Sequence, residues 1–274
     1  MCSVSVATVA VLLFCALSAA AIAAVGNSPR FDELFKSSWG EDHMLHDGEL
    51  IRLKLDAFSG AGFVSKKRYI YGKATAEIKL VGGDSSGTVT AFYMSSEGAN
   101  RNEFDFEFLG NTTGEPYLPI STLTPSYGTR NRWSSSSTRR RSVFSLNQEA
   151  KGVAFPGYQS MGVYNSLWKG DGWATQGGRV KTNWSHTPFI VTYRAALKID
   201  GCEVDVEAAV DDEVRRCGGS EWGKEGRYWW KAPVMKKLTV HQSHQLIWVR
   251  AKHLIYDYCF DYARFPTAPP ECGQ

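Results

Sequence analysis

Three carboxylates stand two residues apart in the run EFDFE: Glu103, Asp105 and Glu107, interleaved with Phe104 and Phe106. In an extended strand alternate residues share a face and lie about 6.6–6.8 Å apart. The acids then face one way, while Phe104, Phe106 and Phe108 face the other, into a core. The aromatics would anchor a rigid acidic face. The plain alternative is a solvated edge strand with its charges outward. Against it, no run of Lys or Arg alternates with these acids to neutralise them. Crowded carboxylates raise at least one pKa, so one group stays protonated near neutrality beside an ionised partner. The apparent values then belong to the group rather than to single residues. An ionised and a protonated carboxyl flanking one oxygen is what cleavage of a glycosidic bond uses. On a flat strand the outer two Cα atoms lie about 13 Å apart. A retaining mechanism wants its carboxyls about 5–5.5 Å apart, so the strand must be concave and both Glu side chains must lean inward.

The elements that must hold this strand are legible as β-structure from Phe31 to Gly110. In ELIRLKLDAF, Ile51, Leu53 and Leu55 alternate with Arg52, Lys54 and Asp56. In GKATAEIKLV, Ala74, Ala76, Ile78 and Leu80 alternate with Lys73, Thr75, Glu77 and Lys79. GTVTAFYMSS is β-branched and aromatic, and turn runs such as SGAG, GGDSSG and SEGAN separate the strands. Antiparallel strands at such short intervals predict an all-β sandwich. Residues 118–150 differ. They hold the run SSSS and clustered Arg with little apolar periodicity, and predict a loop or a disordered insert. AAVDDEVRRCGGSEWGKEG predicts a disulfide-tied loop, and MKKLTVHQSHQLIWVRAKHLIYDYC a helix followed by a strand. His241 and His244 in HQSHQ fit an exposed polar turn better than a metal site.

The 274 residues, 43% hydrophobic and 13% aromatic, suffice for one large domain or a domain with an extension. A net charge of +3 gives no argument for nucleic acid. Residues 1–24 carry no charged side chain and end in small residues, with Ala21-Ile22-Ala23 fitting a cleavage site, so they are expected to be a signal peptide. No later segment is long and apolar enough for a membrane span, and the mature protein is expected to be secreted. Cys202, Cys217, Cys259 and Cys272 would then form two disulfides. Three pairings are open, and short loops favour Cys202–Cys217 with Cys259–Cys272. The absence of CxxC spacing argues against zinc. Sequons stand at Asn111-Thr112-Thr113 and Asn183-Trp184-Ser185.

The stretch NEFDFEFLGNTTGEPY resembles the catalytic signature of the plant xyloglucan endotransglucosylase/hydrolases, in glycoside hydrolase family 16. The likeness extends to SGAGFVSKKRYIYGK and DSSGTVTAFYMSSEG before it, and to GVYNSLWKGDGWATQGGRVKTNWSHTPF and WVRAKHLIYDYCFDYARFP after it. It implies a curved antiparallel β-jelly-roll sandwich over residues 31–200 and a small disulfide-tied C-terminal extension over 201–274. It also implies a substrate cleft across the concave sheet. Glu103 resembles the nucleophile, Glu107 the acid/base and Asp105 the helper that tunes the nucleophile. Trp168, Trp173, Gly178 and Arg250 fall at substrate-binding positions, and Asn111 at the glycosylated one. The implied reaction is cleavage of xyloglucan and transfer of the glycosyl fragment to a xyloglucan or oligosaccharide acceptor, with hydrolysis as the side reaction. No metal and no cofactor is needed. A monomer in the cell wall and apoplast, without nucleic-acid or membrane partner, is implied. Residues 118–150 depart from the family, whose strands there are not recognisable. That implies either a shifted reading frame or a catalytically impaired xyloglucan- or β-glucan-binding homologue.

Overall fold

The computed structural model describes residues 31–47, 50–99, 101–124, 133–137, 140–145, 159–194, 197–205, 210–218, 239–253, 258–267 and 272. The segment expected to be a signal peptide lies outside them.

After a four-residue helix, α1 (Phe31–Leu34), fourteen strands follow among the described residues: β1 (Phe35–Trp39), β2 (Met44–His46), β3 (Leu50–Leu55), β4 (Ala61–Ser65), β5 (Arg68–Thr75), β6 (Ile78–Lys79), β7 (Thr88–Ser95), β8 (Glu103–Leu109), β9 (Leu118–Thr124), β10 (Trp133–Ser137), β11 (Arg140–Ser145), β12 (Gly162–Lys169), β13 (Phe189–Arg194) and β14 (Lys198–Val204). Six form one sheet in the order β1-β4-β12-β7-β8-β9, and four form a second in the order β2-β3-β13-β6. The remaining strands pair as β10-β11 and β14-β5. The pairings are antiparallel, and consecutive strands switch repeatedly between the sheets, as in a jelly roll.

The alternation read in β3 is the reason these sheets pack. Ile51, Leu53 and Leu55 are buried, while the intervening residues keep partial contact with water. With Phe189, Val191 and Tyr193 of β13 they meet Phe35, Ala61, Phe63 and Leu167 of the larger sheet in one core. Phe63 and Tyr193 touch edge-to-face across it, ring centroids 5.2 Å apart. Each fully buried Leu or Phe there contributes about 1.5–3 kcal/mol.

Residues 118–150 are not the loop or disordered insert that their composition predicts, wherever they are described. β9 pairs with β8 along its whole length, from Leu118 opposite Leu109 to Thr124 opposite Glu103. β10 and β11 form a hairpin. Ile120, Thr122 and Thr124 give β9 its β-branched character, and Pro119 is tolerated because β9 is the outer strand of its sheet. Residues 125–132, 138–139 and 146–158 lie outside the described residues.

The C-terminal extension also departs from expectation. The disulfide-tied loop is in part a helix, α2 (Val210–Gly218), joined to β14 by Cys202–Cys217. Acidic Asp211, Asp212 and Glu213 open it and Arg215 and Arg216 close it, the charge order that suits a helix dipole. A second helix, α3 (Val240–His253), holds His241 and His244, which therefore lie on a helix and not in a turn. The strand expected after it falls largely on residues 254–257, which lie outside the described residues; Tyr258–Phe260 form a 3₁₀ turn. Cys259 bonds Cys272, so of the three pairings the short-loop pair is the one formed.

Candidate active site

The antiparallel register of the larger sheet decides which side chains share a face with the acids. One row runs Trp39–Gly62–Ser166–Ala91–Glu107–Ile120 across all six strands. The next runs Lys36–Val64–Tyr164–Tyr93–Asp105–Thr122, and Glu103 stands in a third beside Ser95. Small residues fill the middle of the first row, so the sheet carries a trough there between Trp39 and Glu107. Four strand spacings separate these two, about 19 Å.

A cleft of about 320 Å³ follows this layout, lined by Trp39, Ala91, Tyr93, Arg101, Glu103, Asp105, Glu107, Ser166 and Trp168. All three acids are brought together in it, as their spacing predicts. On the opposite face Phe104 is buried at 4% exposure and meets Phe106 edge-to-face at 4.9 Å. Phe106 and Phe108 are only half-buried, which corrects the expectation that all three Phe enter the core. The main core lies beneath β1, β4 and β12, and no β8 residue belongs to it.

The acids are electrostatically unequal. Burial, with Glu103 and Glu107 as negative neighbours, pushes Asp105 up to about 7, against a weaker opposing pull from Arg101. Burial and then Glu103 push Glu107 above the ordinary carboxylate range. Arg101 places a guanidinium nitrogen 3.7 Å from Glu103. The cleft can thus hold an ionised and a protonated carboxyl together near neutral pH. Tyr93, stacked on Tyr164 at 4.9 Å, is raised to about 12 by burial first and then by Glu103.

The other predicted residues are distributed as follows. Trp168 lines the cleft with one side and packs on Val89, Leu109 and Ala174 with the other, so it belongs to the cleft wall and to the core at once. Trp173 is 39% exposed, its ring 6.0 Å from that of Trp168. Gly178 is buried at φ 81°, and a Cβ there would stand 2.3 Å from the Gly172 carbonyl oxygen, so its contribution is to backbone path. Arg250 lies on α3, with its side chain outside the described residues. Asn111 sits in the turn after β8, where its Nδ2 donates to the Pro116 carbonyl at 3.1 Å.

Sequence reasoning missed Ala91, Tyr93, Arg101 and Ser166 of the cleft, and most notably Trp39. It ends a five-residue strand too short to show alternation, and it is 40% exposed. Its indole lies on Gly62: a Cβ at that position would stand 2.4 Å from the indole nitrogen. The paired signal was a Trp followed by Gly40 at φ 62°, with a further Gly pair, Gly60 and Gly62, across the turn.

The glycosyl hydrolases family 16 profile matches residues 31–145 and 140–186, and the xyloglucan endo-transglycosylase C-terminus profile matches 224–272. The chain is 52% identical over 271 residues to xyloglucan endotransglucosylase protein 6 of Diospyros kaki, covering 90% of this chain and 89% of that one. It is 48% identical over 268 residues to xyloglucan endotransglucosylase/hydrolase protein 9 of Arabidopsis thaliana, covering 89% of each. Among solved structures, a Bacillus licheniformis β-glucanase superposes with a TM-score of 0.41 at 17% identity, over 58% of this chain and 89% of that one. With its acidic β8 strand, its cleft and relatives of this closeness over nearly the whole chain, the protein belongs to the xyloglucan endotransglucosylase/hydrolase family, within glycosyl hydrolase family 16.

Proposed function

We propose that the chain cleaves xyloglucan and rejoins the glycosyl fragment to a second xyloglucan chain or oligosaccharide, with retention at the anomeric carbon. The observation that carries this reading is the alignment of Glu103, Asp105 and Glu107 along one cleft with Trp39, Tyr93 and Trp168. Glu103 attacks the anomeric carbon while Glu107 gives its proton to the departing glycosidic oxygen. The C–O bond breaks and an ester to Glu103 forms. Glu107, now ionised, takes the proton of the incoming hydroxyl, which displaces Glu103. Water in place of that hydroxyl gives hydrolysis. Asp105 sits between the two and holds a shareable proton, which tunes the nucleophile. The trough of small residues between Glu107 and Trp39 suits an extended chain of sugar rings, with Trp39 as a stacking platform.

This reading places the mature protein, freed of residues 1–24, in the apoplast and cell wall, as a monomer glycosylated at Asn111. No helix among the described residues is long and apolar enough to cross a membrane. The experiment is incorporation of a labelled xyloglucan oligosaccharide into polymeric xyloglucan by the purified protein and by Glu103→Gln. Label transfer by wild type alone supports the reading.

A second reading, a glucan binder impaired in catalysis, is favoured by one observation. The family 16 profile matches in two stretches that overlap at residues 140–145, so the chain is discontinuous with its family in that region. Xyloglucan binding by wild type with no more turnover than Glu103→Gln would establish it. An intact transcript encoding residues 118–150 unchanged would exclude a shifted frame.

A further inference from the structure

We propose that Thr175 is a positioning residue: it latches the loop carrying Trp173 onto the acidic strand and so sets how the glycosyl-enzyme divides between a carbohydrate acceptor and water. The inference rests on the transfer reading above and deepens it.

The loop from Gly170 to Thr182 lies between β12 and β13. Thr175 is buried in it at 1% exposure. Its hydroxyl donates to the Gly110 carbonyl at 2.8 Å and accepts from the Gly87 N–H at 2.7 Å. Gly110 is the first residue after β8, and Gly87 the last before β7, the strand that pairs with β8. One side chain therefore ties the loop to the ends of both strands that form the catalytic floor. A hydroxyl is suited to this because it donates and accepts at once.

The surroundings make the latch consequential. Immediately after Thr175 come three residues with left-handed backbone, Gln176 (φ 50°), Gly177 (φ 68°) and Gly178 (φ 81°). A non-glycine residue such as Gln176 stays there only where its neighbours over-determine the backbone. The far end of the loop is fastened separately: Asp171 Oδ1 accepts from the Thr182 N–H at 2.8 Å and from its hydroxyl at 2.6 Å. The Gly170 N–H donates to the Gly87 carbonyl at 2.7 Å. Trp173, half-exposed beside Trp168, is carried between these two fastenings.

Water needs no platform to reach the glycosyl-enzyme, whereas a sugar acceptor does. Slackening the latch should therefore lower acceptor capture and leave the first, bond-breaking step in place. Thr175→Val keeps the shape and removes both hydrogen bonds; Thr175→Ser keeps both.

The test measures transfer to a labelled xyloglucan oligosaccharide and release of new reducing ends in the same samples, so that the ratio is independent of the folded fraction. In Thr175→Val the transfer-to-hydrolysis ratio should fall about tenfold or more through a raised acceptor KM, since one lost buried hydrogen bond is worth about tenfold and two are removed. Hydrolysis kcat should stay within about twofold, and Thr175→Ser should restore the ratio. An unchanged ratio, a parallel loss of both reactions, or a serine variant as impaired as the valine one would overturn the inference. A wild type with neither activity would overturn the transfer reading and this inference with it. An active wild type with an unchanged ratio in the valine variant would overturn this inference alone.

Discussion

Replacing Asp105 by Asn should change how stability depends on pH, in a direction fixed by its surroundings. In the fold Asp105 titrates at about 7, against an ordinary value of 3.8, because it is desolvated beside Glu103 and Glu107. The folded state therefore holds a proton that the unfolded state releases between these two values. Stability contributed by this group is fully present below about pH 4 and is lost as pH rises through about 7. At 1.36 kcal/mol per unit the shift corresponds to about 4 kcal/mol. Asp105 is partly open to the cleft, and solvent screening reduces this to about 1–2 kcal/mol. Denaturant unfolding of wild type and Asp105→Asn at pH 4.5 and 7.5, with disulfides intact, reads the difference. Wild type should lose about 1–2 kcal/mol more than the variant between the two pH values. Carboxylates away from β8 titrate alike in both proteins and cancel, while Glu103 and Glu107, coupled to Asp105, belong to the difference that is read. Identical pH dependence in the two would refute the claim that the β8 acids are crowded and desolvated as described.

Other consequences are testable by simpler means. Since Glu107 is also raised, the transfer rate should fall on its alkaline side at a pH above the ordinary carboxylate range, and a pH–rate profile of kcat/KM would show it. Gly62→Ala should weaken xyloglucan binding with little change in fold, because the new methyl occupies the place of the Trp39 indole; calorimetric titration against the Glu103→Gln background would measure it. Removing the Cys202–Cys217 bridge as a double serine variant should cost about 3 kcal/mol, the value for a loop of its 15-residue span, read from unfolding midpoints.

The acidic strand was legible because its function imposes period two on residues of opposite character, and β3 because one of its faces is wholly buried. β9 was not legible. Leu118–Thr124 mixes its β-branched residues with Pro119 and Ser121, and its strand state rests on pairing with β8 more than on its own pattern. The same holds for the serine run of β10, paired with β11. α2 has nine residues, too few to establish a helical period, and its place is fixed by a disulfide and by Glu213 accepting from the Asp205 N–H at 3.2 Å. Within the cleft, the residues on β8 could be named from the chain alone. Trp39 could not, because its link to Glu107 runs sideways through the three strands between them and exists only once the register is known.

The central claim is that Glu103 forms the covalent bond to sugar while Glu107 moves the proton. Incubating the protein with an activated 2-fluoro xyloglucan oligosaccharide, which slows release of the intermediate, followed by peptide mass mapping, tests it most directly. The expected result is one added glycosyl mass on Glu103, absent from Glu103→Gln. A label on Asp105 or Glu107, or no label on a protein that transfers xyloglucan, would contradict it.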